Sequence, residues 1–301
     1  MTRALVTGAD GFVGSHLSEH LAACGDEVIP SATDITDRTT LIDAFAAAAP
    51  DVVYHLAAQA DVGASWTDPL ETLRINVEGT ANVLDAARLA GCRRVVAVTS
   101  ADVYGLVTDA DLPLRETQPL RPVSPYAASK AAADMYCLQA GLGHGLDVVR
   151  VRAFNHLGPG QSDRFVASAI ASRIAACERD GTHTVRIGNL DARRDFTDVR
   201  DVVRAYRALM VDGEAGEAYH VCSGLDRSVR DLADILVTHS TTEIHLETDP
   251  ELLRPVDLEV LRGDNAKITE RTGWSPTIPI QQTLADLLEY WRQHQPQHGE
   301  S

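Results

Sequence analysis

The feature that most constrains this chain comes at its very start. An apolar run, Arg3–Thr7, leads into Gly8-Ala9-Asp10-Gly11-Phe12-Val13-Gly14, and an amphipathic segment follows from Gly14 to Cys24. Gly-x-x-Gly-x-x-Gly between a strand and a helix has a physical reading at each glycine. Gly8 permits a tight turn, Gly11 lets the backbone approach a pyrophosphate, and Gly14 lets helix and strand pack closely. The helix N-terminus then offers unpaired N–H groups to phosphates. A glycine triplet alone also fits an ordinary strand–helix turn. Its place directly after the first strand of an alternating pattern points to a dinucleotide-binding loop.

The alternation continues. The spacing predicts strands at Glu27–Pro30, Val52–Ala57, Arg94–Ser100 and Asp147–Ala153, and helices at Thr40–Ala48, Pro69–Gly91 and Pro125–Leu142. Strands alternating with helices mean a parallel sheet with helices on both faces. The expected fold is therefore α/β, a Rossmann-type doubly wound parallel sheet. After Asn155 the pattern breaks into loops rich in Gly, Pro and charge, with helices expected near Asp163–Arg179, Val199–Met210, Val229–His239 and Ile280–His294. Residues 1–154 read as the dinucleotide-binding domain, and residues 155–294 mainly as a smaller C-terminal α/β substrate domain interleaved with it. Residues 295–301 carry no apolar anchor and read as a disordered tail.

Composition narrows the function. The 301 residues, 45% of them hydrophobic, are ample for a full core. A formal net charge of -16 without a basic stripe argues against nucleic acid and against anionic membranes. An anionic substrate must then be caught by a few local arginines. The cysteines (Cys24, Cys92, Cys137, Cys177, Cys222) are odd in number and never in Cys-x-x-Cys spacing, so buried free thiols are expected rather than disulfides or zinc. No metal is expected. There is no long apolar run and no charged leader with a cleavage site, so the expected location is the cytoplasm.

Tyr126-Ala127-Ala128-Ser129-Lys130 gives Tyr-x-x-x-Lys. On a helix, i and i+4 share a face, so both side chains reach one site. A lysine ammonium beside a phenol is expected to lower its pKa from about 10, making a general acid/base usable at neutral pH. An exposed tyrosine with a solvated lysine is the bland explanation. Against it stands Thr99-Ser100-Ala101-Asp102-Val103-Tyr104-Gly105, placed where the preceding strand ends. Active sites in open parallel sheets lie beyond the carboxyl ends of the strands. Ser100 is thus placed to hydrogen-bond the reacting oxygen that Tyr126 protonates.

Glycine loop, strand-end serine and Tyr-x-x-x-Lys, in this order, resemble the extended short-chain dehydrogenases/reductases. His55-Leu56-Ala57-Ala58-Gln59, Asn76-Val77-Glu78-Gly79-Thr80 and Ser124-Pro125-Tyr126 match further motifs, and the resemblance covers roughly residues 3 to 292. It implies a nicotinamide cofactor, NADPH or NADH. The residues implied to hold it are Gly8, Gly11, Phe12, Val13, Gly14, Asp34, Ile35, Leu56, Ala57, Ala58 and Gln59, with Tyr126 and Lys130. An NAD site normally has an acid at the end of its second strand for the adenosine ribose, and Asp34 lies at about the right distance from Gly14. Asp34-Ile35-Thr36-Asp37 equally matches the family's Asp-hydrophobic-x-Asp stretch, which contacts adenine. Ser31, Thr33 and Arg38 could instead accept a 2′-phosphate. The choice between NAD and NADP stays open.

The second half resembles the branch of that family acting on GDP-linked sugars. The resemblance rests on Arg152-Ala153-Phe154-Asn155-His156-Leu157-Gly158-Pro159-Gly160-Gln161, Gly188-Asn189-Leu190-Asp191-Ala192-Arg193-Arg194-Asp195-Phe196 and Leu253-Arg254-Pro255-Val256-Asp257. A diphosphate needs bidentate donors, which arginine supplies. The resemblance implies Arg194 and Arg254 on the diphosphate, Asn155 and Asn189 on the sugar or nucleotide, and Ser100 on the reacting oxygen; Arg193 reads as structural.

The reaction turns on the acid after Ser100. GDP-mannose 4,6-dehydratases carry Thr-x-Glu where this chain has Ser100-Ala101-Asp102. Aspartate is one methylene shorter, and a retreat of that size costs a base about 100-fold in rate. The connection between the second and third strands is also short, as in the reductases of the branch. The expected reaction is therefore reduction of the C4 ketone of GDP-4-keto-6-deoxy-D-mannose to GDP-6-deoxy-D-mannose (GDP-D-rhamnose). Asp102 receives no part in the redox step; a remnant of a dehydratase base, a hydrogen-bond partner and a strand-end cap are its three readings. The alternatives are the 4,6-dehydratase itself, a nucleotide-sugar 4-epimerase, and a non-catalytic NADP-binding regulator. Retention of both Tyr126 and Lys130 speaks against the last.

His16 and His20 lie at i,i+4 with no third metal ligand nearby, and His55 reads as a core residue; His156 receives no role. The helices Pro69–Gly91 and Pro125–Leu142 resemble the pair that forms a four-helix bundle across a two-fold axis in the family. A homodimer is expected, with Val77, Ala81, Leu84 and Ala131 on its seam.

Overall fold

The computed structural model describes residues 1–252 and 258–294. Arg254 and the tail at 295–301 therefore lie outside the described residues.

The first half runs β1 (Arg3–Thr7), α1 (Phe12–Ala23), β2 (Glu27–Ser31), α2 (Arg38–Ala48), β3 (Val52–His55), α3 (Val62–Thr67), α4 (Pro69–Leu73), α5 (Gly79–Leu89), β4 (Arg94–Ser100), α6 (Pro125–His144) and β5 (Val148–Ala153). The second half adds β6 (Asn155–Leu157), α7 (Val166–Asp180), β7 (Thr184–Ile187), β8 (Arg193–Asp198), α8 (Val199–Asp212), β9 (Ala218–Val221), β10 (Asp226–Ser228), α9 (Val229–Thr238), β11 (His245–Thr248), β12 (Val260–Leu261), α10 (Ala266–Thr272) and α11 (Ile280–Gln293).

The main sheet is parallel, in the order β2-β1-β3-β4-β5-β9. Its central strands are buried on both faces, which is why they read as near-continuous apolar runs. Leu17, Leu21, Tyr206 and Leu209 of α1 and α8 cover one face. Leu41, Phe45, Val83 and Cys137 of α2, α5 and α6 cover the other. A separate core gathers Ile170, Ile174, Leu232, Leu236, Leu284 and Leu288 from α7, α9 and α11.

Two local features position the site. The helix expected over Pro69–Gly91 is interrupted by a π turn at Arg74–Glu78, which carries Asn76 inward. Helix α6 starts sharply because Ser124 accepts the Ala127 N–H and Pro125 occupies its first turn. The second half is α/β, as expected, but its strands lie where the sequence pattern placed none. From Asn155 onward the described residues form seven strands, each of six residues or fewer and too short to show a period. One of them, β9, pairs with β5 and completes the main sheet.

Candidate active site

The strand order reverses between β2 and β3, on either side of β1, and the glycine loop sits at that switch point. Gly8 has φ of +71°, and a Cβ there would stand 2.9 Å from Ala57 N. A Cβ on Gly14 would stand 2.0 Å from Gly8 O, so no other residue lets α1 lie this close to β1. Helix α1 is capped by Gly11 without a side-chain bond and has no acid in its first turn. The N–H groups there face no competing carboxylate, which is what a pyrophosphate requires. Phe12 and Val13 lie half-buried on the first turn. Phe12 stacks on His156, with ring centroids 6.1 Å apart, and His16 Nε2 meets Pro159 O at 2.8 Å. The glycine loop is thereby packed against β6 and the turn that follows it.

At the tip of β2 the residues divide. Asp34 is exposed, and its carboxylate accepts from Thr36 N–H and Thr36 Oγ1, both at 2.8 Å. Asp37 caps α2 through the Thr40 N–H, and Arg38 pairs with Asp85. Ile35 is buried beneath Gly79. Ser31 Oγ, at the end of β2, is buried without a hydrogen-bond partner. A buried hydroxyl in that place fits an adenosine ribose or its 2′-phosphate.

Beyond β3, Leu56, Ala57, Ala58 and Gln59 are half-buried along the same edge. Asn76 holds them. Its Oδ1 accepts the Gln59 N–H at 2.8 Å, and its Nδ2 donates to Gln59 O at 3.0 Å and to Ser129 Oγ at 2.9 Å. His55 is a core residue. Thr80 Oγ1 donates to Asn76 O, so His55 donates from Nε2 to Thr80 and accepts from Thr7 at Nδ1. Burial, aided by Lys130, lowers its pKa to about 3 and keeps it neutral.

Ser100, Tyr126 and Lys130 lie together at the carboxyl edge of β4, each less than a tenth exposed. Ser100 Oγ accepts the Asp102 N–H at 3.2 Å and faces the Tyr126 phenol. Lys130 Nζ donates to Val98 O at 3.2 Å. The electrostatics differ from the expectation of a phenol made acidic by its lysine. Burial, reinforced by the Asp102 charge, raises the Tyr126 pKa, and the Ser100 hydroxyl only partly offsets this. Lys130 is itself lowered to about 8 by burial, which penalises its charged form. Tyr126 is thus held as the protonated acid. Asp102, half-buried beside it, belongs to the same site.

Ser100 is paired with Ala153 across β4 and β5, which puts exposed Asn155 at this same edge. Asn189 is exposed, its Oδ1 accepting the Asp191 N–H at 3.0 Å. Arg194 donates to Leu258 O at 2.6 Å, while Arg193 pairs with Asp226. Among the described residues no three His, Cys, Asp or Glu side chains converge as metal ligands, and no helix is long and apolar enough to cross a membrane.

Asn76 and the buried cluster around Asp134 are site-building residues that motif reasoning left without a role. The available signal was a charged or amide side chain at an apolar position of the period. Asp134 is fully buried on α6, one turn beyond Lys130, and binds Arg150 and Arg152 of β5.

Known proteins resemble this chain in sequence and fold. The family model described as GDP-mannose 4,6 dehydratase matches residues 30–287. The GDP-6-deoxy-D-mannose reductase of Pseudomonas aeruginosa is 39% identical over 295 residues, covering 96% of this chain and 97% of the relative. The UDP-glucose 4-epimerase of Mycolicibacterium smegmatis is 32% identical, covering 96% and 98%. The solved structure of RMD from Pseudomonas aeruginosa complexed with NADPH has a TM-score of 0.91 at 38% identity, covering 97% of this chain and 99% of that one. The UDP-glucose 4-epimerase of Thermus thermophilus, solved in complex with NAD, has a TM-score of 0.87 at 29% identity, covering 96% and 99%. With the glycine loop, the strand-end serine and the Tyr-Lys pair at one sheet edge, the chain belongs to the GDP-mannose 4,6-dehydratase family of the extended short-chain dehydrogenases/reductases.

Proposed function

We propose that this chain reduces the C4 ketone of GDP-4-keto-6-deoxy-D-mannose to GDP-6-deoxy-D-mannose, using NADPH or NADH. The observation that carries the reading is geometric: Ser100, Tyr126 and Lys130 lie together, each nearly buried, at the carboxyl edge of β4. A reductase must donate a proton to the oxygen formed at C4, and burial with the Asp102 charge keeps Tyr126 a phenol. The identity to the Pseudomonas aeruginosa reductase supports the same choice.

When bound, the dinucleotide supplies the hydride. The protein supplies the rest. Ser100 orients the carbonyl oxygen, Tyr126 delivers the proton, and Lys130 holds the ribose and stabilises the negative charge left on the phenol. Gly8, Gly11, Phe12, Val13 and Gly14 cradle the pyrophosphate. Asp34, Ile35 and the stretch Leu56–Gln59 line the adenosine and ribose side. Asn155, Asn189, Arg194 and Arg254 hold the nucleotide sugar. Residues 1–154 form the cofactor part and residues 155–294 mainly the substrate part, interleaved with it.

The second reading, a 4,6-dehydratase, rests on Asp102 beside Tyr126. Incubation with GDP-mannose and no other enzyme separates the two. The reductase leaves that sugar unchanged, whereas a dehydratase releases the 4-keto product.

A homodimer accompanies the reading. Leu73 and Tyr136, 39% and 48% exposed, flank a shallow apolar groove with Val77, Ala81 and Ala132 on the α4–α5 and α6 surface. Leu84, expected on that seam, points instead into the protomer's own core. The cytoplasm is the location this reading favours, and the five cysteines stand as free thiols.

A further inference from the structure

Behind the site, charge is buried where it is costly. Asp134 Oδ1 accepts from Arg150 Nη1 at 2.6 Å and from Arg152 Nη2 at 3.0 Å, while Oδ2 accepts from Arg152 Nε at 3.0 Å. Arg152 Nη1 then donates to Tyr104 Oη at 2.9 Å and to Glu116 O at 2.8 Å. The Tyr104 hydroxyl donates to His220 Nε2, 2.5 Å away, and the His220 backbone N–H donates to the Glu116 carboxylate at 2.9 Å. Burial lowers the His220 pKa to about 3, so the ring stays a neutral acceptor and fixes the direction of the chain.

The ends of this chain are what matter. Asp134 sits on the helix that carries Tyr126 and Lys130. Tyr104 ends the short 3-10 turn, Ala101–Tyr104, whose N-cap is Ser100 and which contains Asp102. We propose that Arg152 and Tyr104 are positioning residues: the bond between them ties the Ser100 turn to the catalytic helix and sets the Ser100 hydroxyl against Tyr126. The proposal rests on the reading of Ser100 and Tyr126 as a working pair. A buried ion cluster of this kind adds little net stability, and what it supplies here is fixed geometry between the Ser100 turn and the catalytic helix.

The test compares two single-hydroxyl deletions in the full-length enzyme. Tyr104→Phe removes the link to Arg152 and His220. Tyr219→Phe is the matched control, since Tyr219 is equally buried, lies beside His220 on β9, and its hydroxyl accepts the Glu214 N–H at 3.1 Å. Reduced-dinucleotide oxidation with GDP-4-keto-6-deoxy-D-mannose, NADPH affinity and Tm are measured for each. The expected result is a fall in kcat of about tenfold for Tyr104→Phe, with KM and NADPH affinity within about twofold, because misplacing a catalytic group acts on the chemical step. Tyr219→Phe shifts Tm by a similar amount and leaves kcat unchanged. Equal kcat for Tyr104→Phe and wild type overturns the proposal, as does a parallel loss of kcat in both variants. If wild type turns over GDP-mannose instead, the reductase reading falls, and the same comparison on that reaction still decides the role of Tyr104.

Discussion

Asn76 donates a hydrogen bond to Ser129 across 2.9 Å, so an amide in the π turn between α4 and α5 is fastened to the catalytic helix. The same amide holds the backbone of Gln59 on both sides, and Ser129 passes the restraint to Tyr126 O at 2.7 Å. One side chain thus aligns the β3 loop with the helix bearing Tyr126. Replacing Asn76 with Ala strands buried partners at Gln59 and Ser129. The expected loss is about 2–4 kcal/mol in urea denaturation, together with weaker NADPH binding in a fluorescence titration.

Gly14 tests the close approach of α1 to β1. A methyl group there meets backbone atoms of Gly8 and Ala9 at 2.0 and 2.7 Å, and backbone cannot swing aside as a flexible side chain would. Gly14→Ala should cost about 1–3 kcal/mol through overpacking. It should also reduce dinucleotide affinity, measured by equilibrium titration, because the loop that presents the N–H groups is displaced.

Tyr126→Phe keeps the ring and removes the acid. The expected effect is a fall in kcat of about 10²–10⁴-fold, with NADPH affinity unchanged within about twofold. A steady-state assay beside a binding titration separates the two effects.

The pH dependence follows from Lys130. Its folded pKa is lowered to about 8 by burial, so the ammonium predominates below that pH and is lost as pH rises through it. A profile of kcat/KM, which reports groups of the free enzyme, should therefore fall on its alkaline side near pH 8. The raised Tyr126 pKa places loss of the phenolic proton at higher pH, so it does not set this limb.

Much of the first half was legible in the sequence, because parallel strands buried on both faces leave apolar runs and the glycine triplet marks the turn where α1 must lie close to β1. Arg3–Thr7 and Arg94–Ser100 have the bounds that their patterns predict. The second half was less legible. Ala218–Val221 joins the main sheet after a long excursion, and no local period reveals a pairing partner that far away in sequence. Motifs placed Ser100, Tyr126 and Lys130 at one edge, since residue type and spacing carry that chemistry. The direction of the Tyr126 pKa was not readable, because it depends on burial and on Asp102, and neither is a property of spacing. Asp134, Arg150 and Arg152 received no role for a related reason: isolated charges in an apolar strand or helix look like exceptions until the fold brings them together.

The most direct measurement is oxidation of NADPH and NADH in the presence of GDP-4-keto-6-deoxy-D-mannose, made beforehand from GDP-mannose by a separate dehydratase. The account predicts oxidation that requires the keto sugar, yields GDP-6-deoxy-D-mannose and disappears in Tyr126→Phe. Absence of oxidation with either dinucleotide, alongside conversion of GDP-mannose by the protein alone, would contradict it and make Asp102 a working base.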